Sequence, residues 1–190
     1  MTTTQFHPVH NVHDGLFNAV SGRKINIVEP HPDMISIHDI AHSLSNLCRF
    51  GGHSNSFYCV AQHSVLVAAL APTELKREAL LHDATEAYVG DVIKPLKVML
   101  GDVYDDIESR FMDVIAHKFK LNHFNLLKIK EYDKQALELE HECFQKSNPF
   151  PFISAMHENG LIRNDLFTWS STLSKNIFLT QFSRLFPEEI

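Results

Sequence analysis

The chain has 190 residues, 44% of them hydrophobic and 21% charged, an ordinary globular composition with enough length for one domain and a sizeable core. Seventeen Lys and Arg against 23 Asp and Glu give a net charge of −6, which argues against non-specific DNA binding while leaving room for local cations to hold a small anion. No apolar run reaches the roughly 18 residues that span a bilayer, and the opening "MTTTQFHPVHNVHDG" lacks the basic and apolar regions of a secretory signal.

Residues 1–15 read as a flexible lead-in whose His7, His10 and His13 suit a His-rich tail better than a metal site. "LFNAVSGRKINIV" places two short apolar runs around Ser21-Gly22 and predicts a β-hairpin. Ser36 opens a helix, with Asp39 three residues on approximating a capping box, and Ile37, Ile40, Ala41, Leu44 and Leu47 carry the helical period. The glycines of "RFGGHSNS" break the pattern. "FYCVAQHSVLVAALA" resumes it as an apolar helix, stopped by Pro72.

Thr73 is expected to cap a helix running to about Val89, with Gly90 ending it, and "DVIKPLK" reads as a turn plus a short helical piece. Ile107, Phe111, Val114, Ile115 and Phe119 predict a helix over Val103–Leu121. Asn122 opens another, to about Lys146; "SNPFPF" reads as a loop; and Ser170 or Ser171 caps a last helix. The expectation is a single all-α domain over residues 1–190, a bundle of about six helices with a small N-terminal β-hairpin.

Three scattered cysteines, Cys48, Cys59 and Cys143, show no CxxC spacing and read as small core residues of a protein in a reducing cytoplasm. The stretch "LLHDATEAYVGDVIKPLK", Leu80–Lys97, is different. It sets charge inside an apolar run, which is costly unless the charge is paired or coordinates a metal. His82 and Glu86, four apart, are expected to share a helix face, with Asp83 about 100° round it. His63 is a lone polar ring in the preceding apolar helix. Asp133 lies where "KIKEYDKQALELE" turns from charged to apolar. Two His and two Asp from three packed helices suit Zn, Mn, Fe or Co better than Ca, leaving positions for water or substrate. The i,i+4 pair His38 and His42 is a weaker metal candidate, with no evident carboxylate partner beyond Asp39.

The order His63, then His82-Asp83, then Asp133 resembles the HD-domain metal phosphohydrolases. "HDATEAYVGDVIKPLK" and "CRFGGHSNSFYCVAQHS" are most similar to the branch holding bacterial 5′-deoxynucleotidases and phage enzymes that hydrolyse dATP. The resemblance covers roughly residues 20–145. It implies an HD-domain helical bundle in which His63, His82, Asp83 and Asp133 ligate a divalent transition metal (Co, Zn or Mn, with Mg as an additional ion). It implies that Glu86 orients or activates the attacking water and that Asp91 is the general acid or base. Arg49, Lys97 and Lys130 match residues that hold phosphates in relatives, Lys94 is a further phosphate cation, and Phe50 would press on the sugar and exclude a 2′-hydroxyl. The implied activity is hydrolysis of 2′-deoxynucleotides, foremost dATP to deoxyadenosine and triphosphate, depleting dATP. The alternatives are a 5′-deoxynucleotidase acting on dNMPs and a non-enzymatic nucleotide sensor. The expected setting is the cytoplasm, the host's if the chain is phage-encoded. The expected partners are a deoxynucleotide and copies of the chain itself, in a dimer or higher homo-oligomer, without nucleic acid or membrane.

Overall fold

The computed structural model describes residues 15–162 and 167–189, so the lead-in histidines His7, His10 and His13 lie outside the described residues. The architecture is all-α with one small hairpin. Strands β1 (Leu16–Asn18) and β2 (Lys24–Asn26) pair antiparallel, with Phe17 opposite Ile25. Nine α-helical segments follow among the described residues: α1 (Ile37–Asn46), α2 (Val60–Leu70), α3 (Lys76–Leu81), α4 (Glu86–Val89), α5 (Lys94–Leu100), α6 (Asp102–Phe119), α7 (His123–Phe144), α8 (Phe150–Glu158) and α9 (Ser171–Leu185). None is long and apolar enough to cross a membrane.

Helix α2 is the centre. Its sequence, VAQHSVLVAAL, is apolar nearly all round, the signature of a helix with no solvent face. Val60 through Ala68 are all buried, and α1, α3, α7 and α9 surround them. Pro72 cannot continue the helix and pushes Ala71 to an extended ψ of 147°, which stops α2 there. Phe111 and Ile115 of α6 and Phe144 of α7 fill the core, where Tyr58 stacks on Phe144 at 4.4 Å and Phe152 meets both edge-on. Asn122 caps α7 by accepting the Phe124 N–H at 2.9 Å, and Ser170 caps α9 by accepting from Leu173 at 3.3 Å.

Several local expectations change. Ser36 precedes α1 with an extended backbone but makes no side-chain cap bond, so there is no capping box. Asp39 is buried instead against the hairpin turn, accepting from the Ser21 N–H at 3.0 Å and its hydroxyl at 2.6 Å. That contact ties β1–β2 to the bundle. "SNPFPF" is not all loop: Pro149 caps α8, which starts at Phe150, because Pro151 falls in a first turn where its missing N–H has no helical partner to lose. Six helices become nine because the expected helix to Val89 divides in two, the short helical piece forms α5, and α8 stands in place of a loop.

The split that matters lies at His82–Thr85. Thr73 sits in a 3-10 turn capped by Pro72, not at a helix cap, and the expected helix to Val89 divides into α3 and α4. Dihedrals at His82 and Thr85 stay helical, but the hydrogen bonds tighten to three-residue spacing. Ala84 donates to Leu81 at 3.1 Å, Glu86 to Asp83 at 3.0 Å and Tyr88 to Thr85 at 2.9 Å. His82 and Glu86 therefore fall in separate segments, the first closing α3 and the second opening α4.

Candidate metal centre

Helix α2 presents His63, the α3–α4 junction presents His82 and Asp83, and α7 presents Asp133. Their donor atoms meet. His63 Nε2 lies 3.3 Å from His82 Nε2, 3.3 Å from Asp83 Oδ2 and 3.1 Å from Asp133 Oδ1. His82 Nε2 lies 3.2 Å from Asp83 Oδ2 and 3.9 Å from Asp133 Oδ1. Ligands about 2.0–2.2 Å from one small divalent ion stand roughly 3.0–3.5 Å apart, so these separations fit a shared cation. His63, His82 and Asp133 are the one group among the described residues whose donor atoms cluster tightly enough to hold an ion.

The rings are oriented from behind. His82 Nδ1 lies 2.8 Å from the Ala79 carbonyl, which makes Nδ1 the donor and leaves Nε2 as the ligand atom when the ring is neutral. His63 Nδ1 lies 2.5 Å from Glu140 Oε1. Glu140 has no solvent exposure. It also accepts from the Tyr58 hydroxyl at 2.8 Å and from Arg49 Nε at 3.2 Å. A carboxylate behind a ligating imidazole fixes its tautomer and raises its basicity. The sequence reading did not single out Glu140. Its signal was there: Glu140 lies two turns after Asp133, in line with buried Ile129, Ala136 and Cys143.

The electrostatics favour a cation. Burial opposes charge on His82, yet Asp83 and Asp133 outweigh it and raise its pKa to about 9. His63 is likewise raised well above the usual range, burial being outweighed chiefly by Glu140, Asp133 and Asp83. The two imidazoles in turn hold Asp83 and Asp133 well below theirs despite burial. Without a metal, protons supply the positive charge, and a metal must displace them. Both imidazoles are protonated below their raised pKa values, so acid strengthens the competition. Metal affinity should therefore fall by about 10- to 100-fold per pH unit on going from pH 8 to 6, according to whether one or two protons leave. Calorimetric titration of metal in buffers of different ionisation enthalpy measures this, and a Kd constant over that range with no proton release would contradict it.

The cluster opens on two adjoining cavities. One, of about 550 Å³, takes its walls from Arg49, Phe50, Glu86, Asp91, Lys94 and Lys97 together with Asp83 and Asp133. The other, of about 570 Å³, is lined by His82, Asp83, Thr85, Lys97, Met112, Leu127, Lys130 and Asp133, with Asp105, Glu108 and Asp113 also on its wall. Arg49 and Lys97 thus share a cavity, but Lys130 belongs to the neighbouring one, with Lys97 common to both.

Two of the cations are already engaged. Arg49 is buried against Glu140, with its guanidinium 3.2 Å from Oε2, and reaches Asp83 at 3.7 Å. Lys97 donates to Glu108 at 3.0 Å, stands 3.8 Å from Glu86 and lies over the Tyr104 ring. Glu86 is buried, and its Oε2 has no hydrogen-bond partner among the described residues. Burial, then Asp83 and Asp91, push its pKa up to about 9. Burial likewise raises Asp91, with Asp83 adding to it and Arg49 opposing. Phe50 stands at a left-handed φ of 58°, followed by Gly51 at 61°, a sharp turn that sets Arg49 into the core and Phe50 on the cavity wall.

No protein-family model matches the chain. Over 101 residues it is 50% identical to YfdR, an uncharacterized protein of Escherichia coli K12, a match covering 53% of this chain and 56% of that protein. Over 111 residues it is 35% identical to an uncharacterized protein of Rhodobacter capsulatus, covering 54% and 57% respectively. The chain spans about half the length of these curated relatives.

Proposed function

We propose that the chain is a metal-dependent phosphohydrolase of 2′-deoxynucleotides, of the HD-domain kind its motif order resembles. The observation that carries this reading is one cavity on which Asp83 and Asp133, the buried Glu86 carboxylate and the cations Arg49, Lys94 and Lys97 all open. His63, His82, Asp83 and Asp133 would hold the metal, which when bound polarises a phosphoryl oxygen and lowers the pKa of water towards about 7.

The chain's own residues do the rest. Glu86 Oε2 is a buried acceptor with no hydrogen-bond partner among the described residues, suited to take a proton from the attacking water. Its raised pKa reflects burial and two neighbouring carboxylates, and a cation held at Asp83 lowers it again. Asp91, on the same wall, is the candidate to protonate the departing oxygen. Phe50 meets the sugar edge of the cavity. Glu86→Gln should keep the metal and lose turnover by about 10²-fold or more, as removal of a general base does. Proportional loss of metal and activity would instead make Glu86 a ligand.

Two substrate lengths remain within this reading. The first, from the motif resemblance, is dATP cleaved to deoxyadenosine and triphosphate. The second is a deoxynucleoside monophosphate, favoured by one observation: Arg49 and Lys97 are committed to Glu140 and Glu108. A triphosphate brings about three to four negative charges, and Lys94 and Lys130 are then the cations without an ion pair among the described residues. If the triphosphate is the substrate, Lys130→Ala should impair dATP at least about tenfold more than dAMP, because the longer chain reaches the second cavity. Equal effects on both would favour the monophosphate. The deciding assay screens all dNTPs and dNMPs with Co, Mn, Zn and Mg, resolving phosphate, pyrophosphate and triphosphate. Absence of any product with every metal would overturn the enzyme reading and leave a nucleotide-binding role.

A further inference from the structure

The segments Leu47–Arg49 and Tyr58–Val60 meet as a single antiparallel pair in which Cys48 faces Cys59. The Arg49 N–H donates to the Tyr58 carbonyl at 3.0 Å, and the Val60 N–H donates to the Leu47 carbonyl at 3.1 Å. These bonds flank the cysteines instead of joining them. That is the narrow kind of antiparallel pair, with α-carbons about 4.5 Å apart and side chains on the same face. A disulfide spans α-carbon separations of about 4.4–6.8 Å, so this backbone accepts one without large movement. Both thiols are free here; Cys48 is exposed and Cys59 is buried at the start of α2.

We propose that Cys48 and Cys59 are a redox modification site, closing to an intrachain disulfide when a hydroperoxide oxidises Cys48. The exposed Cys48 thiolate attacks the peroxide: an S–O bond forms, the O–O bond breaks, and the leaving oxygen takes a proton to become an alcohol or water. Cys59 then attacks the Cys48 sulfenic sulfur. The S–S bond forms, the S–O bond breaks, and hydroxide leaves with the Cys59 proton as water. Two thiols are oxidised and one hydroperoxide is reduced. The order of events follows exposure, because only Cys48 meets solvent. Burial also raises the Cys59 thiol, with the Ser174 hydroxyl and the N–H groups at the start of α2 partly opposing it.

The bond would bear on the metal site without touching it. It would tie together the two ends of the loop that carries Arg49 and Phe50 at one end and Tyr58 at the other. Arg49 and Tyr58 both bind Glu140, the carboxylate behind His63. Cys143, the third thiol, is buried on α7 and is not part of this pair.

The test treats the purified full chain with excess hydrogen peroxide, blocks residual thiols and maps tryptic peptides without reduction. Trypsin cuts after Arg49, so a Cys48–Cys59 bond joins two otherwise separate peptides. The expected result is that linked pair, lost on adding a thiol reductant, abolished in Cys48→Ser and intact in Cys143→Ser. Cys48→Ala serves as a second variant, because Cys48 is exposed and its truncation leaves the core untouched. Oxidation that stops at Cys48 without cross-linking, links two chains, engages Cys143 or leaves all three thiols reduced would overturn the proposal.

Discussion

His82→Ala should lose its metal and, with it, hydrolysis down to background. Structural zinc sites with four ligands bind with roughly 10–16 kcal/mol, and on that scale one ligand is worth about 3 kcal/mol, or about 10²-fold in affinity. The loss extends beyond one contact. His82 Nε2 also stands 3.2 Å from Asp83 and 3.9 Å from Asp133, and without it two carboxylates repel across the gap with less positive charge between them. The ring is about nine-tenths buried, so a melting curve must show that the variant still folds. Elemental analysis after gel filtration then reads the effect. A folded variant with a full complement of metal at wild-type affinity would remove His82 from the ligand set.

Glu140→Ala should produce the second-largest effect, and it should strike stability and metal together. Glu140 is the hub of a buried network: His63 Nδ1, the Tyr58 hydroxyl and the Arg49 guanidinium all converge on it. The positive charge of Arg49 and the ring of His63 hold its pKa at about 2 in spite of burial. Removing it leaves the Arg49 charge buried, with the Asp83 carboxylate at 3.7 Å its remaining ion-pair partner among the described residues. Breaking a buried ion pair from one side costs ~3–5 kcal/mol. Loss of the carboxylate behind a ligating imidazole typically weakens metal binding by about 10- to 100-fold. Glu140→Gln keeps the volume and an acceptor but not the charge, so it should fall between. Thermal melts with and without metal, beside metal titrations, measure both effects. Wild-type melting and metal affinity in Glu140→Ala would show that the network is incidental.

The contrast between His82 and Glu140 shows what a sequence displays. His63 and His82-Asp83 stand out because they interrupt apolar runs, where an unpaired polar group is expensive, so the eye finds them locally. Glu140 sits in an alternation of Glu and apolar residues that also describes a solvated helix. Its place two turns beyond Asp133 was the local hint, but its partners lie 77, 82 and 91 residues away. The same limit applies to the cations. A lysine before a helix reads as available for phosphate until Glu108 of α6 is seen to hold Lys97. Hydrophobic periodicity predicted α1 and α6 well, because burial dictates it. It gave no warning of the tightened backbone at His82–Thr85, where His82 and Thr85 keep helical dihedrals while the hydrogen bonds shorten to three-residue spacing.

Metal dependence of the proposed hydrolysis is read by titrating metal into the chelator-stripped chain while following both bound metal and deoxynucleotide hydrolysis. No hydrolysis is expected in the stripped chain, and activity should rise in step with occupancy and saturate at one ion per chain. Hydrolysis that persists in the stripped chain, or a fully loaded site with no hydrolysis of any deoxynucleotide, would contradict it.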